Sequence, residues 1–204
     1  MRRTVIMLGL SIALLLAVAG CARRSLDPAF GQPSGQGVRL AQAAESQAGK
    51  TIRYDARYVR LRYPGGDVPM DRGVCSDVVV RAFRALGVDL QVEMHRDMQS
   101  AWGAYHHLWG LSGPDPNIDH RRVPNLEVFF RRKGKALAIT GRGSDYLPGD
   151  VVAWSDGGSP HIGIVSARLA PSGTRYLVVH NHGRGVRVED KLFAFKIVGH
   201  YRYF

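Results

Sequence analysis

Cysteine is the scarcest reactive side chain here, with only Cys21 and Cys75 among 204 residues. A disulfide framework is therefore excluded as the source of stability, and apolar burial must hold one domain of ordinary size. Acid is also in deficit: 17 Asp and Glu face 28 Lys and Arg, a formal charge of +11. Such proteins concentrate at polyanions. The sequence has no aromatic-and-basic RNA-binding signature and no helix-turn-helix pattern, so nucleic acid is not an expected partner. Neither His-Glu-x-x-His nor His-x-x-x-Asp occurs. His180 and His182 could offer two zinc ligands on one strand face, but the other half of a zinc hydrolase's ligand set is missing, and no metal or other cofactor is expected. Internal repeats and low-complexity tracts are absent.

The one long apolar run, Val5 to Val18, follows Arg2 and Arg3 and contains no acid. It reads as a secretory leader, too short and wrongly flanked to span a membrane. Its end, Val18-Ala19-Gly20-Cys21, resembles the bacterial lipobox, which implies cleavage after residue 20 and acylation of Cys21. Several acyl chains hold a protein firmly to a membrane. Ala22 follows in place of Asp, so the expected site is the outer membrane, facing the periplasm. The charge becomes +9 once the leader takes Arg2 and Arg3 away. The polyanions within reach there are lipid head groups and the cell wall. Residues 21–37, rich in Pro, Gly, Ser and Gln, read as a lipidated tether, leaving 38–204 as a single domain.

Helical spacing is expected over Val38–Ala48, from Cys75 to a stop at Gly87, over Val92–His107 and over Pro124–Arg132. From Ala136 the period changes to strands: Ala136–Thr140, Asp150–Trp154, His161–Leu169, Tyr176–His180 and Ile197–Tyr203. Helices followed by strands predict an α+β domain whose antiparallel sheet packs on the cysteine helix.

With Cys21 lipidated, Cys75 is an odd thiol in an oxidising compartment, which calls for either chemistry or deep burial. It opens a helix, where unpaired backbone N–H groups and the dipole are expected to lower a thiol pKa. Nucleophilic cysteine catalysis also needs a base and a polar group to orient that base. His161 starts an apolar strand, and the next strand ends in His180-Asn181-His182, with either His180 or Asn181 able to orient His161. The paired Arg121 and Arg122 could grip a substrate carboxylate bidentately.

Four stretches together carry a resemblance: Cys75-Ser76 opening a helix, Leu147-Pro148-Gly149-Asp150-Val151-Val152, His161-Ile162-Gly163-Ile164-Val165, and Val178-Val179-His180. They look like the NlpC-type cell-wall cysteine peptidases of the papain-like superfamily. The resemblance implies a papain-like fold with Cys75 as nucleophile, His161 as base and His180 as its orienting residue. It also implies that Tyr63, twelve residues before Cys75, supports the oxyanion. The fuller set, including Tyr63-Pro64-Gly65-Gly66-Asp67, Gly73-Val74-Cys75-Ser76-Asp77, Ile118-Asp119-His120-Arg121-Arg122-Val123 and Gly199-His200-Tyr201-Arg202-Tyr203, resembles the family called domain of unknown function 1287 from about Thr51 to Phe204. Val74 stands where the peptidases have Asp, and Asp77 where they have a small residue. The expectation is a lipid-anchored hydrolase acting on an amide bond of peptidoglycan or its stem peptides. A non-catalytic envelope-binding lipoprotein and an acyltransferase are the alternatives.

Overall fold

A computed structural model describes residues 30–106 and 108–204. The leader, Cys21, the first part of the tether and His107 lie outside the described residues.

Helical structure begins before residue 38. Phe30 is buried against Tyr176, ring centroids 5.2 Å apart. Ser34 then caps α1 (Gly35–Glu45) by accepting the Gly37 N–H at 2.9 Å. Gly37 and Gly149 meet backbone to backbone: a Cβ on Gly149 would lie 2.2 Å from the Gly37 carbonyl oxygen, and Gly149 has φ +87°. The tether reading through residue 37 thus overlaps the helix, because composition could not show that two glycines were spaced for contact rather than flexibility.

A two-residue parallel pair, β1 (Arg53–Tyr54) with β2 (Arg72–Gly73), brings the chain to α2 (Cys75–Ala85). Val74, the N-cap, has no side-chain acceptor to offer, so Asp77 turns back and accepts the Val74 N–H at 2.7 Å. Every residue of α2 from Cys75 to Phe83 is buried, including Ser76, Asp77 and Arg81. Arg81 reaches Asp67 at 2.8 Å, and Gln47 donates to the Val78 carbonyl at 2.9 Å, tying α1 across α2. The helices α3 (Leu90–Ala101) and α4 (Val123–Arg132) complete the layer. Past Ala101, the expected helix passes into a 3₁₀ turn at Trp102–Ala104.

The sheet is antiparallel, in order β6-β5-β4-β3-β7, with β3 (Val151–Asp156), β4 (Ser159–Leu169), β5 (Tyr176–Asn181), β6 (Val186–Glu189) and β7 (Lys196–Tyr201). Its period-two pattern serves two cores. Val151, Ala153, Ile162, Ile164 and Val179 face the helices, while Val152, Trp154, Val165 and Val178 join Phe30, Tyr146 and Tyr176 on the other face. The domain is α+β, as expected. The predicted strand at Ala136–Thr140 reduces to a bridge, Ala136 with Tyr201, and one bond from the Leu137 N–H to the His200 carbonyl at 2.8 Å. Leu137 and Ile139 stay exposed, so no buried face extends the pairing. β6 was not anticipated, although Val186-Arg187-Val188-Glu189 does alternate.

Two family motifs are structural. The buried Asp150 carboxylate accepts the Leu147 N–H and pairs with His200 Nε2, both at 2.8 Å, and takes two bonds from Arg202 at 2.7 Å. One buried charge so locks the turn before β3 to the end of β7.

Candidate active site

Cys75 occupies the first position of α2, and its sulfur accepts the backbone N–H groups of Ile162 and Ser76 and contacts the Tyr54 hydroxyl. The residue before Ile162 is His161. Its Nε2 lies 2.8 Å from His180 Nδ1, and His180 Nε2 lies 3.1 Å from a Glu189 carboxylate oxygen on β6. Gly163 makes the histidine contact possible. A Cβ there would sit 3.1 Å from the His180 Cβ and 2.7 Å from the Val179 carbonyl oxygen, so only glycine lets His180 lean across β4 toward His161. On the far side, the Trp154 ring stacks on His161 with centroids 5.7 Å apart.

Burial decides the electrostatics. It pushes the Cys75 thiol up to about 11, against the lowering from its backbone donors. The same cause lowers His161 to about 3, with His180 and His182 adding repulsion to a charged ring. The thiol pKa expected from the helix start is thus corrected: loss of solvent around a nearly fully buried sulfur outweighs a dipole acting over one turn. With the thiol raised and the imidazole lowered by burial, both groups are neutral at rest near pH 7.

The other predicted site residues divide. Asn181 is fully buried and donates to the carbonyls of Gly73 at 2.9 Å and Arg53 at 3.3 Å, so it fixes the backbone leading into Cys75 while His180 faces His161. Tyr63 is partly exposed and packs on His95 of α3, centroids 5.2 Å apart. The tyrosine at the sulfur is Tyr54, held beside it by β1, and burial followed by the nearby thiol pushes its hydroxyl up to about 12. Two-residue strands leave too short a pattern to predict, so the sequence carries no signal for Tyr54. Arg121 is also corrected. It bonds both Asp77 oxygens at 2.9 and 3.0 Å and donates to the Arg57 and Asp55 carbonyls at 3.1 Å each. Its donors hold the fold rather than a substrate. Asp77, the departure from the peptidase pattern, is the counter-charge this arginine needs.

Arg122 has a different setting. Its guanidinium lies 3.9 Å above the Trp109 ring and 3.2 Å from Asp119. Trp109, Arg122, Tyr54, Tyr58 and Cys75 line a cavity of about 390 Å³. A neighbouring cleft, sharing Tyr54 and Pro160, is lined by His161 and His182. His182 is paired with Asp156 at 2.9 Å.

Fold and site together define an α+β domain whose buried helix-start thiol meets the backbone of Ile162, the residue after His161 of a linked histidine pair. The chain belongs to the family described as Domain of unknown function (DUF1287), whose model matches residues 41–203. It is 52% identical over 168 residues to the uncharacterized protein YijF of Escherichia coli (strain K12), covering 82% of each chain. Among solved structures, it is similar to NlpC2 from Trichomonas vaginalis at 15% identity and TM-score 0.45, covering 86% of this chain and 50% of that one. NlpC1 from the same organism gives 14% identity and TM-score 0.45, with 86% and 47% covered. This chain spans about half the length of those two proteins.

Proposed function

We propose that this protein is a cysteine hydrolase that cleaves an amide bond of cell-wall peptide, held by acylated Cys21 at the outer membrane and facing the periplasm. One observation carries the reading: His161 is bonded to His180 at 2.8 Å where the strand backbone meets the Cys75 sulfur. A buried histidine pair aligned beside a buried thiol at a cleft is the arrangement that nucleophile, base and orienting residue require.

Because both partners are neutral at rest, the Cys75 proton passes to His161 Nδ1 as the sulfur attacks the amide carbonyl. The developing oxyanion is met by the Tyr54 hydroxyl and the Cys75 backbone N–H. The tetrahedral intermediate then breaks its C–N bond, and the His161 imidazolium gives its proton to the departing amine. Water, activated by His161, attacks the thioester, releasing the acid and returning the proton to sulfur. Arg122, stacked on Trp109 at the cavity wall, is the cation for a stem-peptide carboxylate.

One observation favours acyl transfer as a second reading: Val74, Ile118, Val123 and Pro124 give the cavity beside Cys75 an apolar stretch of wall. Digestion of purified peptidoglycan, with products identified by mass spectrometry, separates the two. The hydrolase reading expects new amine ends with wild type and none with Cys75→Ala; identical products from both would end it.

A further inference from the structure

We infer that Glu189 is a positioning residue that sets the tautomer of the histidine pair and thereby frees Nδ1 of His161 as the base. The inference rests on the hydrolase reading for its catalytic meaning; the tautomer follows from the two contacts together with the burial that keeps both rings neutral.

A carboxylate can only accept, so the proton in the 3.1 Å contact between Glu189 and His180 belongs to His180 Nε2. A neutral imidazole carries one N–H. His180 Nδ1 is then bare, and the proton in its 2.8 Å contact must come from His161 Nε2. His161 has now spent its own N–H, leaving Nδ1 with its lone pair. Without Glu189, the reverse order would satisfy the same histidine contact: His180 Nδ1–H donating to a bare His161 Nε2, with the proton on Nδ1 and the base blocked. The carboxylate at the end of the relay breaks this degeneracy. It also opposes the burial that keeps protons off His180, so it supports the positive charge that the relay carries after proton transfer.

Among the described residues, Glu189 is the acceptor at His180 Nε2. His180 is buried, and its two ring nitrogens are taken by His161 and Glu189. The other charged and titratable groups around the pair are His182, bonded to Asp156; Lys191; Arg187, in register with His180 on β6; and Tyr54 at the cleft, with Cys75 in the cavity next to it. Trp154 and Phe195 close the aromatic side. Glu189 lies on an edge strand, so its charge is removable with little disturbance to the core.

The test is ¹⁵N-histidine NMR on the purified protein, alongside peptidoglycan digestion, for wild type, Glu189→Gln and Glu189→Asp. Gln keeps shape and loses charge; Asp keeps charge. Wild type should show both His161 and His180 protonated on Nε2. In Glu189→Gln the two tautomer orders should mix, with turnover at least tenfold lower, KM within twofold, and the acid limb of the pH profile displaced to lower pH. Glu189→Asp should recover part of each change. Glu189→Gln spectra and turnover equal to wild type would overturn the inference, as would wild-type His161 protonated on Nδ1. If the spectra respond as expected while wild type releases no wall fragments, the relay stands and the hydrolase reading falls. If wild type digests the wall but Glu189→Gln changes nothing, the converse holds.

Discussion

Arg121→Gln isolates what the Arg121–Asp77 pair does. Both side chains are almost wholly buried, at 2% and 4% exposure. The substitution removes two charge-assisted bonds to Asp77 and the donors to the Asp55 and Arg57 carbonyls, leaving a buried carboxylate with the Val74 N–H as its remaining partner. Breaking a buried pair from one side costs about 3–5 kcal/mol because the orphaned charge stays out of water. That is a large share of a domain's total of about 5–15 kcal/mol. At roughly 2–4 °C per kcal/mol for a chain of this size, Tm should fall by about 6–20 °C. Urea unfolding followed by circular dichroism measures the loss directly. Asp77→Asn in the same background should recover about 1–3 kcal/mol, since it removes the stranded charge. A Gln variant within about 1 kcal/mol of wild type but with a raised KM for stem peptide would refute this account and return Arg121 to substrate binding.

Three further outcomes follow from the site. Native Cys75, with its thiol near 11, should react with iodoacetamide at pH 7 about 100-fold more slowly than a free cysteine; fast native labelling would instead mean a thiolate–imidazolium pair at rest. Tyr54→Phe should lower kcat about tenfold to a hundredfold with stability nearly unchanged, as expected for loss of an oxyanion donor, whereas Tyr63→Phe should change neither. His161 near 3 and His120 near 4 both lie below the ordinary histidine value, so the unfolded chain takes up protons the folded one refuses. Their stabilisation is present above about pH 6.5 and lost as pH falls toward those values, by up to about 1.4 kcal/mol per pH unit for each ring. Urea midpoints at pH 7, 5 and 4 should drop in step, and His161→Asn should flatten the slope; a midpoint independent of pH would contradict the burial.

Local rules make much of this chain legible in its sequence. The helical repeat through Val78, Val79, Ala82 and Phe83 placed α2 with Cys75 at its start, and the alternation in Val151–Trp154 and Tyr176–His180 placed the strands, because the core selects a period that a single segment reveals. His161 and His180 were identifiable for the same reason, each sitting at the end of a strand with a clear pattern. Segments without a buried face of their own were less legible. β1 is too short to show a period, and Ala136–Thr140 has the residues of a strand but leaves Leu137 and Ile139 in solvent.

Partnership and burial belonged to the tertiary structure. The sequence by itself determined an α+β domain, a helix opened by the one cysteine in its domain, and two histidines on neighbouring strands, all properties of residue order within one element. Only the fold decided that Tyr54 rather than Tyr63 meets the sulfur, that Arg121 neutralises Asp77, that Glu189 ends the histidine relay, and that the thiol is raised rather than lowered. Each depends on which groups lie within a few ångströms and on how much water remains between them, and residues far apart in the chain settle both.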